Sequence, residues 1–254
     1  MTPHAASTDA GGGTAGFARI ADHGGPPAGA LCDATTVAAE PISAEVAALL
    51  ADTTVVCREW AEQLEGPYRR GEQPLRRDLV EDRDGVPLRL GLRLADARGA
   101  PLPEGEIEVW QCDALGRYSG YPPPDDAGPP ATEATAPRTE YLPDQTFLRG
   151  RQPVDGAGEV EFVTIYPGWY PGRTVHIHLM AHTAAGSSTT QLYFPEDITD
   201  RVLAEEPYGE RPGRDTTNAT DTIFATGGEP AVLELRVVRG KASGYLAAAR
   251  LHLP

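Results

Sequence analysis

Two histidines, His176 and His178, stand in Thr174-Val175-His176-Ile177-His178-Leu179, where polar and apolar residues alternate. Alternation belongs to a strand and puts both imidazoles on one face. Their Cα atoms then lie about 6.6–6.8 Å apart, close enough to converge on one metal ion. Histidine is the commonest metal ligand and also an ordinary packing residue, so the pair alone leaves both readings open. His182 shares the face but lies roughly 13 Å beyond His178, too far to join. Two tyrosines each follow a glycine-containing turn, in Gly116-Arg117-Tyr118 and Pro167-Gly168-Trp169-Tyr170. A phenol with an ordinary pKa of about 10 is a poor ligand at neutral pH. A hard trivalent cation displaces its proton, and ferric iron is the common biological candidate. Two phenolates, two neutral imidazoles and a hydroxide balance that charge, and ligand hardness selects Fe(III) over Zn(II) or Mg(II). Either tyrosine alone would read as a packing residue at a sheet edge.

Longer stretches carry these residues. Ile107-Glu108-Val109 is followed, after six residues, by Gly116-Arg117-Tyr118. Thr164-Ile165-Tyr166-Pro167-Gly168-Trp169-Tyr170 precedes Arg173 and His176-Ile177-His178, and Thr190-Gln191-Leu192-Tyr193-Phe194-Pro195 follows. With these motifs in this order, over roughly residues 57–240, the chain resembles the intradiol ring-cleavage dioxygenases, the family of catechol and protocatechuate cleavers. The resemblance implies one Fe(III) per chain, with Tyr118 and His178 as equatorial ligands and Tyr170 and His176 as the axial pair. Tyr170 is then the ligand that substrate displaces, Arg173 the active-site arginine and Gln191 a glutamine beside the ligands. It implies a catechol-type substrate and O2, and a cis,cis-muconate-type diacid as product. A fixed guanidinium at position 173 would stabilise negative charge developing in a water-poor site.

No Asp or Glu stands to His176 and His178 as in two-histidine, one-carboxylate Fe(II) sites, which sets extradiol cleavage aside. Two other readings are a larger catechol in a biosynthetic pathway and a non-catalytic β-sandwich binding module on the same scaffold. The chain has room for one substantial helix where catechol and hydroxyquinol cleavers carry a larger helical dimerisation region. Residues 57–68 and 147–152 instead resemble a branch that includes secreted members, in which a Cys57–Cys112 pairing is open. A homo-oligomer is left open as well.

The 254 residues carry 22 basic and 37 acidic side chains, a net charge of −15. Such a balance excludes nucleic acid as the main partner, since that affinity comes from Lys and Arg neutralising phosphates. It argues equally against an anionic membrane surface. The longest apolar run, residues 46–51, is far short of the ~20 residues of a membrane span. The first thirty residues hold no continuous apolar stretch of a secretory signal. Three cysteines, Cys32, Cys57 and Cys112, make no disulfide framework, so a reduced, cytoplasmic protein is expected, with a secreted one as the alternative.

Residues 1–40 read as a flexible Gly/Ala/Pro-rich tail. Residues 41–76 form a helical and linker segment, with a helical stripe over 43–64, Ser43 as N-cap and Gly66-Pro67 as its stop. Residues 77–254 read as the catalytic domain, giving an all-β protein: an antiparallel β-sandwich with an N-terminal helix and long loops. Strands are expected at 88–94, 107–110, 160–165, 174–179, 190–194 and 232–237. Residues 122–143 read as a long loop. Tyr166, Trp169 and that loop are candidates to line a ring pocket. The basic pairs Arg69-Arg70 and Arg76-Arg77 read as a solvated face, or as a subunit contact or guide for a carboxylated substrate.

Overall fold

A computed structural model of the chain describes residues 39–52, 57–122, 144–238 and 243–253. Among them the order is α1 (Ala44–Ala51), β1 (Cys57–Glu59), β2 (Pro87–Asp96), β3 (Glu106–Trp110), β4 (Arg149–Pro153), β5 (Glu159–Ile165), β6 (His176–Thr183), β7 (Gly186–Tyr193), α2 (Glu196–Leu203), β8 (Glu234–Val238) and β9 (Gly244–Leu253). One sheet runs β1-β9-β2-β5, with β8 also paired to β9; the other runs β4-β3-β6-β7. The second sheet is antiparallel throughout, whereas β9 runs parallel to both β1 and β2.

Period-two patterning makes the sandwich. Leu88, Leu90, Leu92 and Leu94 of β2 enter one apolar cluster with Val160 and Phe162 of β5, Ile107 and Val109 of β3, Ile177, Leu179 and Ala181 of β6, and Leu192 of β7. Burying each such leucine contributes about 1.5–3 kcal/mol. On the far side of β2, Arg89 and Arg93 pair with Glu161 and Glu159 of β5. There Glu161 also takes Arg77 and the backbone N–H of Ser43, which fastens the start of α1. The helix lays Val46, Leu49 and Leu50 on Leu246 and Ala248 of β9.

The expected strands are present, and the helix is shorter than its stripe. It is capped by Ser43, whose hydroxyl accepts from the Val46 N–H, but ends at Ala51. Next come β-branched Thr53, Thr54, Val55 and Val56, whose side chains crowd a helix and suit a strand, and β1 follows. Trp60, counted in the helical stripe, packs on the sandwich core, while Leu64 is half exposed. Strands β1, β4 and β9 and helix α2 lie outside the sequence expectation. Helix α2 follows Pro195 with Glu196 and Asp197 in its first turn and Arg201 in its last. Strand β9, which joins β1, β2 and β8, carries Ala247-Ala248-Ala249, a run with helical propensity that tertiary pairing overrides. The expected tail, save Ala39 and Glu40, and the expected loop 122–143, save Pro122, lie outside the described residues. No described helix is long and apolar enough to cross a membrane.

Gly91 is where α1 meets β2. A Cβ there would stand 2.3 Å from Val46 Cγ1, a stiff atom on the helix. Gly91→Ala should therefore destabilise the fold by about 1–3 kcal/mol through overpacking, read as a lowered midpoint in urea unfolding. An unchanged midpoint would show that α1 is not held against this strand.

Candidate metal centre

The alternation that sends Ile177, Leu179 and Ala181 into the core turns His176, His178 and Met180 to the outer face of the second sheet. Across that face Trp110, His178 and Gln191 stand in register, and His176 stands opposite Tyr193. These outer positions are nonetheless buried: His176 is 2% and His178 1% exposed. Residues 61–64 cover part of the face. Gln63 N–H donates to the Thr189 carbonyl at 2.8 Å, Thr190 Oγ1 to the Ala61 carbonyl at 3.0 Å, and Gln191 Nε2 to the Leu64 carbonyl at 3.0 Å.

Two interlocked turns deliver the tyrosines. Asp113 Oδ1 accepts from the N–H groups of Leu115 (3.0 Å) and Arg117 (2.9 Å), closing the turn before Tyr118. Within it Gly116 adopts φ +80°, and a Cβ there would lie 2.2 Å from the Trp169 carbonyl oxygen. The two turns are thus in backbone contact, which only glycine permits. Gly168 N–H donates to the Asp113 carbonyl at 3.1 Å, and the Cys112 thiol to the Gly168 carbonyl at 3.4 Å.

The sequence-expected ligands come together. His176 Nε2 lies 3.0 Å from His178 Nε2, 3.2 Å from Tyr170 Oη and 3.5 Å from Tyr118 Oη. The Thr174 carbonyl accepts from His176 Nδ1 at 2.6 Å, which leaves Nε2 as the lone-pair nitrogen facing the other three groups. His178 Nδ1 has no hydrogen-bond partner among the described residues. Its ring is held by stacking on Trp110, at 5.0 Å between centroids and 2° between planes. Burial, then Arg173, pushes the His176 pKa down; burial, then His176, does the same for His178. Both imidazoles are therefore neutral at pH 7, as ligands must be. Burial pushes both phenols up, with Tyr170 adding to the effect on Tyr118 and Arg173 opposing it on Tyr170. Such phenols ionise only beside a strong positive charge. No group of three or more His, Cys, Asp and Glu side chains arranged to hold a metal occurs among the described residues. The gathered donors are two imidazoles and two phenols, a set that fits a hard trivalent cation.

Arg173, 9% exposed, stands beside this cluster. Its Nε donates to Asp221 Oδ2 at 2.9 Å and its Nη2 to Gln191 Oε1. Gln191 Oε1 also accepts from Tyr193 Oη at 3.3 Å. Burial works against the Arg173 charge, but Tyr170 and Asp221 outweigh it and raise its pKa.

Tyr68, Trp110 and Asp221 belong to the site yet were not among the expected residues. The Tyr68 ring stacks on that of Tyr118 at 4.3 Å and 11°, and meets Tyr170 edge-on at 5.8 Å. Its place in Gly66-Pro67-Tyr68, a turn sequence ending in an aromatic, is the one signal it offered. Two ring-pocket candidates are corrected. Tyr166 is buried in the sandwich core with its hydroxyl on Thr199 Oγ1, because it follows β5 inwards. Trp169 packs in the same core and donates to the Arg211 carbonyl at 2.9 Å. His182, excluded on distance, pairs with Glu108 at 3.2 Å. Of the basic cluster, Arg69 pairs with Glu108, Arg76 with Glu81 and Arg77 with Glu161, while Arg70 donates to the Gln145 carbonyl. These arginines tie residues 65–77 to the body of the sandwich. Cys112 carries a free, buried thiol, while the Cys57 side chain lies outside the described residues.

A family profile described as Dioxygenase matches residues 64–205, which hold both tyrosines and both histidines. The chain belongs to the intradiol ring-cleavage dioxygenase family. It is 34% identical over 150 residues to the protocatechuate 3,4-dioxygenase beta chain of Burkholderia cepacia. That match spans 53% of this chain and 57% of the relative. An intradiol ring-cleavage dioxygenase from Tetranychus urticae superposes with a TM-score of 0.68 and 29% identity, over 77% of this chain and 94% of that one. The dioxygenase domain of a dioxygenase and carbohydrate-binding protein fusion from Streptomyces sp. SirexAA-E gives a TM-score of 0.52 and 27% identity, over 78% of this chain and all of that one.

The Cys112 thiol makes the interlocked turns testable. Burial, then Asp113, raises its pKa well above the usual thiol range, and thiol reagents attack the thiolate. In the folded protein at pH 8, iodoacetamide followed by peptide mapping should leave Cys112 unlabelled, with full labelling in denaturant. Rapid labelling of the native protein would show that the two turns are open.

Proposed function

We propose that this intradiol-family dioxygenase holds one Fe(III) per chain and cleaves a catechol-type ring between its two hydroxylated carbons. Both atoms of O2 enter the product, a cis,cis-muconate-type diacid. The observation that carries this reading is the convergence of Tyr118, Tyr170 and His178 on His176 Nε2 inside a buried site. The names of the relatives, intradiol and protocatechuate dioxygenases, support the same reaction class.

Tyr118, Tyr170, His176 and His178 would hold the iron. When bound, the ferric ion supplies Lewis acidity that draws in both substrate oxygens and activates the ring toward O2. Tyr170 acts as a base: its phenolate Oη takes the proton of one catechol hydroxyl as the substrate binds. Burial favours that transfer, because the pKa of the Tyr170 phenol is already pushed upward. Tyr118 stays in place beneath the stacked ring of Tyr68, which excludes water from that side. Arg173 contributes a fixed positive charge beside Tyr170, where negative charge develops during oxygen attack. Gln191 orients Arg173 through its amide oxygen.

Incubating iron-loaded protein with catechols under 18O-labelled O2 tests the reading. The expected product is a colourless diacid carrying two labelled atoms; a yellow semialdehyde, or a diacid with one label from the first turnovers, would overturn it. His178→Ala should bleach the visible tyrosinate-to-iron band and lose iron by elemental analysis, and full iron occupancy would remove His178 from the ligand set. Arg173→Ala should keep iron and colour while turnover falls on the order of 10²-fold or more. Near-normal turnover would leave Arg173 a merely structural residue.

A further inference from the structure

Asp221 stands 48 residues after Arg173 in sequence, is 2% exposed, and holds the guanidinium directly through its carboxylate. Oδ2 accepts from Arg173 Nε at 2.9 Å and from the Thr174 backbone N–H at 2.7 Å. Oδ1 accepts from the backbone N–H groups of Ile223 at 2.7 Å and Phe224 at 2.9 Å. One side chain therefore joins two parts of the chain. Its Oδ1 closes the turn over residues 221–224, and its Oδ2 fixes both the Arg173 side chain and the backbone leading into His176. That turn is itself anchored over the ligand face, since Gln63 Nε2 donates to the Ile223 carbonyl at 3.0 Å. Phe224 also packs edge-on against Tyr193 at 4.9 Å. A second acceptor, Gln191 Oε1, holds Arg173 Nη2. Two fixed acceptors define the plane of a guanidinium, where one would leave it free to swing.

We propose that Asp221 is a positioning residue for the ring-cleavage reaction: its effect on turnover runs through the Arg173 guanidinium, which it aims at the reacting centre. This inference rests on the intradiol reading above. Asparagine at 221 keeps one acceptor oxygen and replaces the other with an amide donor. It cannot serve both the 221–224 turn and Arg173. The guanidinium then shifts, and misplacement of a positioned group by about 1 Å is enough to slow a reaction by about 10²-fold.

A double-substitution cycle on the iron-loaded, full-length protein tests the proposal, with kcat and KM for catechol measured separately. Asp221→Asn should lower kcat about 10²-fold, with the visible tyrosinate band unshifted and iron content unchanged, since no ligand is touched. In the Arg173→Ala background the same substitution should lower kcat no further than about twofold, because coupled residues are not additive. Equal losses in both backgrounds would overturn the inference, as would a shifted band or lost iron in Asp221→Asn. If Asp221→Asn does not fold, Asp221→Glu, with the carboxylate displaced by one methylene, carries the same cycle. Failure of the intradiol reading itself looks different: the unsubstituted protein would then form no diacid at all.

Discussion

Tyr118, Tyr170 and His178 place lone-pair donors within 3.0–3.5 Å of His176 Nε2, in surroundings that push every one of these groups toward its neutral form. Four polar groups gathered away from water oppose folding unless something satisfies them. The local structure answers that constraint piece by piece. The Thr174 carbonyl accepts a hydrogen bond from the far N–H of His176, Trp110 fixes the plane of His178, and Tyr68 lies flat on Tyr118. A cation among these donors would complete the answer by letting both phenols ionise.

The centre lies on the outer face of a sheet rather than between the sheets. In β6 the two sets alternate residue by residue: Ile177, Leu179 and Ala181 hold the sandwich together, while His176 and His178 face the proposed iron site. Stability and the proposed chemistry thus fall to different side chains of one strand. The arrangement demands a cover for the outer face. Residues 61–64, the turns before Tyr118 and Tyr170, and the 221–224 turn provide it, and the salt bridges of Arg69, Arg76 and Arg77 keep the N-terminal part of that cover in place.

What the sequence revealed follows the range of the physics involved. Period-two alternation is local, so β2, β3, β5, β6 and β7 and the shared face of His176 and His178 were all readable. Glycine before each tyrosine was readable too, although the reason for Gly116, contact with the Trp169 carbonyl, needs the fold. Spacing does not tell which residues face the interior: Tyr166 and Trp169, candidates for a ring pocket, belong to the core. Ala247-Ala248-Ala249 has helical propensity, and pairing with the neighbouring strands makes it β9. Asp221 and Arg173 meet across 48 residues with no local pattern linking them.

Anomalous X-ray diffraction at the iron edge, from crystals grown with ferric iron, tests the central claim most directly. One peak per chain, within about 2.0–2.3 Å of Tyr118 Oη, Tyr170 Oη, His176 Nε2 and His178 Nε2, is the predicted result. An iron peak bound elsewhere, or no peak among these four side chains, would contradict the account.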